Sequence, residues 1–255
     1  MITTLYKESI IAMSSLFDWS SVDREILAQM VRFSESSIVG KSLQPIEFAK
    51  KLRTIFRLFE VPINVRCIYH KQTAPSAVWV GGMYRADQDI CSNNYITIIT
   101  QFNKRNSPVK INKLMFRRLC SNIADTILHE VIHTRQYRRR NYKDIPGYTS
   151  TAQSGKKRVE QTYLGHPDEI DAYSFNIACQ LSDKFNADRK KIIKYLDTDL
   201  NDRRIKKDSY KMYLEAFDFN YKHTVIKKLK KKVVNYLPNA IELGKPYKTS
   251  DWLKK

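Results

Sequence analysis

Residues 127–136 read Ile127-Leu128-His129-Glu130-Val131-Ile132-His133-Thr134-Arg135-Gln136. They lie late in a stretch from Asn112 to about Arg140 in which Leu114, Leu119, Ile123, Ile127 and Val131 fall roughly on one side of a helix. Residues four apart on a helix share a face, one turn above each other. Two imidazoles so placed, His129 and His133, can reach one metal ion. Tetrahedral zinc accepts neutral histidine nitrogens at about 2.0–2.1 Å. Glu130 is one residue round the helix and can lean over the open position of such an ion. There a carboxylate takes a proton from water and passes it to a leaving amine. The pattern is the H-E-x-x-H arrangement of zinc hydrolases. The bland alternative is a solvated helix face that happens to carry two histidines.

A zinc hydrolase needs a third protein ligand. Arg139 stands six residues after His133, so no third histidine extends the motif in the metzincin manner. The remaining histidines are His70, His166 and His223. Downstream runs Gly165-His166-Pro167-Asp168-Glu169-Ile170-Asp171-Ala172-Tyr173. A helix is expected to start at Pro167, with Asp168 and Glu169 in its first turn, and to run to about Phe185. Glu169 can return to the metal from such an antiparallel helix. His166 and Asp168 are the other candidates for the third position.

His129-Glu130-x-x-His133 followed by Glu169-x-Asp171-Ala172 resembles the gluzincin metallopeptidases, and the second element is similar to that of ImmA/IrrE-type and CAAX prenyl protease-type peptidases. The resemblance spans about Asn112 to Phe185. It implies His129, His133 and Glu169 as zinc ligands, Glu130 as general base, and Asp171 in a surrounding or helix-start network. Tyr173 stands where those peptidases carry an acidic residue. No helix-turn-helix module accompanies the motif, so a repressor-cleaving role is not implied.

Several residues nearby are candidates for lesser roles. Tyr173, His166, Tyr163 and Tyr148 could donate to an oxyanion or orient a ligand. For each, an ordinary packing tyrosine or loop histidine is the favoured alternative. Gln136 is read as holding the helix end or the loop. Arg138-Arg139-Arg140 and Lys156-Lys157-Arg158 flank the motif and could form an anion-binding rim. A third basic run, Lys227-Lys228-Leu229-Lys230-Lys231-Lys232, lies in a helical pattern with an apolar side, where a solvated face is the simpler reading.

Outward from the motif, Ile63–Tyr69, Ala77–Val80 and Tyr95–Thr100 read as strands, the second closed by Gly81-Gly82. Val22–Phe33 and Pro45–Phe59 read as helices, the latter with a stripe of Ile46, Ala49, Leu52, Ile55, Phe56 and Phe59. Asn141 to Ser154 reads as a loop. The expected fold is an α+β zincin-like domain with a small sheet over the active helix and added helices at both ends. Residues 1–60 form an N-terminal helical layer, 61–185 the core, and 186–255 a basic C-terminal helical extension packed on the same domain. Tyr95–Thr100 or Ala77–Val80 is expected to be the edge strand, where an extended substrate could add.

The chain has 255 residues, with 45 Lys+Arg against 26 Asp+Glu and a net charge of +19. Such a length supports a sizeable core. No apolar run is long enough for a membrane span, and the start lacks the pattern of a signal peptide. Cys67, Cys91, Cys120 and Cys179 are not spaced as metal ligands and read as free thiols of a cytoplasmic protein. The charge points to nucleic acid or another polyanion as a partner beside a protein substrate. Three functions follow as expectations: a zinc-dependent metallopeptidase, a basic nucleic-acid-binding protein with a vestigial or structural metal site, and a metal-dependent amidase acting on a non-peptide. Oligomeric state is not legible.

Overall fold

The computed structural model describes residues 24–86, 96–143, 157–198 and 209–243, with side chains to 240. Its architecture is α+β, with small sheets among several helices. Packing divides the chain into two units, Met1–Arg138 and Arg139–Lys255.

The first unit carries the strands. Its elements are α1 (Arg24–Arg32), α2 (Glu35–Ile38), β1 (Ser42–Leu43), α3 (Pro45–Leu58), β2 (Ile63–Tyr69), β3 (Trp79–Tyr84), β4 (Ile96–Phe102), β5 (Val109–Lys110) and α4 (Lys113–Arg139). Helix α3 starts on Pro45, whose missing N–H costs nothing there, and Gln44 N–H donates to the Glu47 carboxylate. Phe48, Ala49, Leu52, Ile55 and Phe56 are buried from this helix. Ile46 and Leu114, both expected on apolar stripes, are instead exposed. Each lies in the first turn of its helix, off the side that meets the core.

The three-stranded sheet has the order β2-β4-β3. β2 runs parallel to β4, with Ile63 opposite Ile96. β3 runs antiparallel to β4, with Trp79 opposite Gln101. The alternation of β2 survives as alternating burial near its start, which suits a strand with one covered face. β4 is buried at nearly every position, as expected of a middle strand. Of the two segments expected as the edge strand, the Ala77–Val80 segment, whose Trp79 and Val80 open β3, lies at an edge, whereas Ile96–Phe102 is central; Tyr95 lies outside the described residues. The bounds of the second strand are corrected. It begins at Trp79 and continues to Tyr84, so Gly81 and Gly82 sit inside β3 rather than closing it. β1 and β5 form a separate antiparallel pair that the sequence did not announce.

The second unit is helical among its described residues: α5 (Lys157–Leu164), α6 (Pro167–Lys184), α7 (Arg189–Asp197), α8 (Ser209–Ala216) and α9 (Thr224–Leu243). Its core draws Leu164, Ile170, Ile177, Leu181, Ile192, Tyr213 and Leu229 together. Helix α6 lies along α9. At the end of α6, Asn186 and Ala187 turn left-handed, with φ of 50° and 60°. Ala187 N–H then donates to the Ser182 carbonyl at 2.8 Å, satisfying a carbonyl of the last turn. No helix among the described residues is long and apolar enough to cross a membrane.

Candidate metal centre

Every residue of α4 from Ile127 to Thr134 is buried. Four of them, His129, Glu130, His133 and Thr134, are polar, and burial of such groups is costly unless each meets a partner. The partners begin with the histidines themselves. His129 Nε2 and His133 Nε2 are 3.1 Å apart. The other nitrogen of His133, Nδ1, lies 2.8 Å from Gln136 Oε1. The Thr134 hydroxyl turns back to the Glu130 carbonyl at 3.1 Å.

His129, His133 and Glu169, all buried, form a group that could hold a metal ion, each offering one ligand atom and these atoms lying within 4.8 Å of one another. The donor set tests well against zinc. Ligands at about 2.0–2.1 Å in tetrahedral array are spaced about 3.3–3.4 Å apart, close to the 3.1 Å between the two imidazole nitrogens. Two imidazoles and a carboxylate are also a donor set that leaves a fourth position open.

Glu130 has a second neighbour in β3. A Cβ built on Gly82 would stand 2.4 Å from Glu130 Oε1 and 2.7 Å from Thr126 Cγ2. The strand backbone thus approaches the Glu130 carboxylate as only glycine permits. On the opposite face of β3, the Trp79 ring lies over Gly81. Further along, Tyr84 of β3 packs on Tyr137 of α4, ring centroids 5.3 Å apart. One turn before His129, Asp125 is paired with the guanidinium of Arg24.

Glu169 is in the first turn of α6 and fully buried. His166 caps that helix, its Nδ1 accepting from Asp168 N–H at 3.2 Å. Asp168 receives both arms of Arg140, at 2.9 and 2.8 Å. Asp171 accepts from Lys232 and, at 3.0 Å, from the Tyr236 hydroxyl. The Tyr173 ring meets Tyr213 edge-on, centroids 5.5 Å apart. Tyr163 is partly buried against the second unit's core. Tyr213 donates to the Leu164 carbonyl at 3.1 Å, and burial holds its phenol well above the usual range.

Of the basic residues, Arg138, Arg139 and Arg158 are exposed, Arg140 is engaged by Asp168, and Lys157 is paired with Asp218. Tyr148 and Lys156 lie outside the described residues, as do most of the 141–154 loop and Cys91. Gln136, Asp125 and Gly82 were not read from the sequence as site residues. The i,i+3 spacing of His133 and Gln136 was the available signal for the first, and a glycine pair beside a strand for the last.

The chain matches no family model, no curated protein and no solved structure.

Proposed function

We propose that this protein is a zinc-dependent metallopeptidase of zincin-like fold, similar to the gluzincins. The observation that carries the reading is the buried group of His129, His133 and Glu169, with Glu130 following His129 directly on α4 and seated against β3. In this reading His129, His133 and Glu169 hold one zinc ion. Zinc, when bound, polarises the scissile carbonyl and lowers the pKa of water. The remaining work falls to the chain. The Glu130 carboxylate accepts the proton of the attacking water and returns it to the leaving amine. Strand β3 ends the sheet among the described residues. A substrate segment added along β3 by strand pairing brings its backbone past Gly82 and hence past Glu130. Burial of the site excludes bulk water and strengthens each of these electrostatic contacts.

Glu130→Gln tests the role of the base. The variant keeps shape and zinc but cannot accept the proton. Cleavage of a substrate found by proteomic screening should fall by about 10²–10⁴. Turnover at the wild-type rate would remove Glu130 from the mechanism.

A second reading, a polyanion-binding protein on the same fold, draws on α9. Lys227, Lys228 and Lys231 are exposed on that helix, and the chain carries +19 overall. Nucleic acid is the polyanion this reading favours, with the metal site then vestigial or structural.

A further inference from the structure

We infer that Gln136 is a positioning residue that fixes the tautomer of His133 and so presents its Nε2 to the metal. This inference rests on the metal-centre reading above. Gln136 stands one turn after His133 on α4, and its side chain is buried. Its Oε1 lies 2.8 Å from His133 Nδ1. A carboxamide oxygen can only accept, so Nδ1 carries the hydrogen. A neutral imidazole has one N–H, so Nε2 of the same ring presents a lone pair. That lone pair faces His129 Nε2 across 3.1 Å. Two ring nitrogens this close need a proton or a cation between them, and the tautomer set by Gln136 leaves His133 as the acceptor of either.

The geometry also accounts for a glutamine at this position. Residues three apart on a helix are neighbours, so the contact is built into α4 and asks nothing of the surrounding fold. A carboxamide orients the ring without adding a charge to a buried site. Partners of this kind, which hold the second nitrogen of a metal-binding histidine, are worth 10–100-fold in metal affinity.

The test compares the full-length chain with Gln136→Met, which keeps length but loses the acceptor, and with Gln136→Glu, which keeps an acceptor oxygen. Imidazole nitrogen NMR of the metal-free protein, at a pH where the rings are neutral, reads the tautomer. Chelator competition reads zinc affinity. The wild type and Gln136→Glu should show His133 protonated at Nδ1, and Gln136→Met should move the hydrogen to Nε2. Zinc affinity should fall about 10–100-fold in Gln136→Met and be retained in Gln136→Glu. A Gln136→Met protein with the wild-type tautomer and wild-type affinity would overturn the inference, as would equal losses in both variants. Lack of zinc uptake by the wild type would overturn the metal-centre reading itself, whereas a zinc-binding wild type with a tautomer indifferent to Gln136 would overturn the positioning role alone.

Discussion

His129, Glu130, His133 and Thr134 are polar side chains in a helical stretch where every residue is buried. The H-E-x-x-H spacing was visible in the sequence because the 3.6-residue period fixes which side chains share a helix face. Their neighbours were not visible to the same degree. Arg24 meets Asp125 from far along the chain, and such pairing depends on tertiary packing. Cys120, on the same helix, shows burial acting on a single group. Burial pushes its thiol up from 9.0 to about 12. Between those values the unfolded chain has lost a proton that the folded chain keeps. Stability therefore falls as pH rises through this window, by about 1.4 kcal/mol per pH unit from this group. Denaturation curves of wild type and Cys120→Ala should converge in stability across it. Curves that stay parallel would show that Cys120 does not titrate as buried.

Elements explain where the sequence reading held and where it slipped. Helices α3, α4 and α6 begin and end within about two residues of the expected bounds, because each has a long periodic pattern and α3 and α6 open on a proline. The short α5, β1 and β5 have too few residues for a period to register. The sequence does not decide the edge between β3 and β4, because a β-branched run states strand preference and not the number of neighbours, and β3 takes it. The glycine pair of β3 looked like a terminator, yet at Gly82 the strand backbone lies against Glu130 and Thr126 of the helix. Gly82→Ala tests that approach. The added Cβ would fall 2.4 Å from Glu130 Oε1, so the carboxylate must move. A displacement near 1 Å costs on the order of 10² in rate. The variant should keep its zinc and lose peptidase activity to about that extent. Full activity in Gly82→Ala would separate β3 from the chemistry.

For the whole molecule, the +19 charge is the dominant long-range property. Ion pairing leaves that excess intact, since Arg140, Lys157 and Lys232 are each matched by one acid, Asp168, Asp218 and Asp171. The exposed lysines of α9 remain available to solvent. Duplex binding should therefore be steeply salt-dependent, with log affinity falling by about 0.9 per phosphate contact against log salt. Six contacts would weaken binding roughly a thousandfold between about 50 and 200 mM. A titration flat across that range would remove nucleic acid from the partners. The central claim concerns the metal, and zinc content per chain measures it most directly. Protein purified without chelator should carry one zinc per chain. Glu169→Ala should lose it, and His166→Ala, which removes the side-chain cap of α6, should keep it. A wild-type chain with no zinc and no uptake on addition, or a His166→Ala chain that loses the ion while Glu169→Ala retains it, would contradict the ligand set.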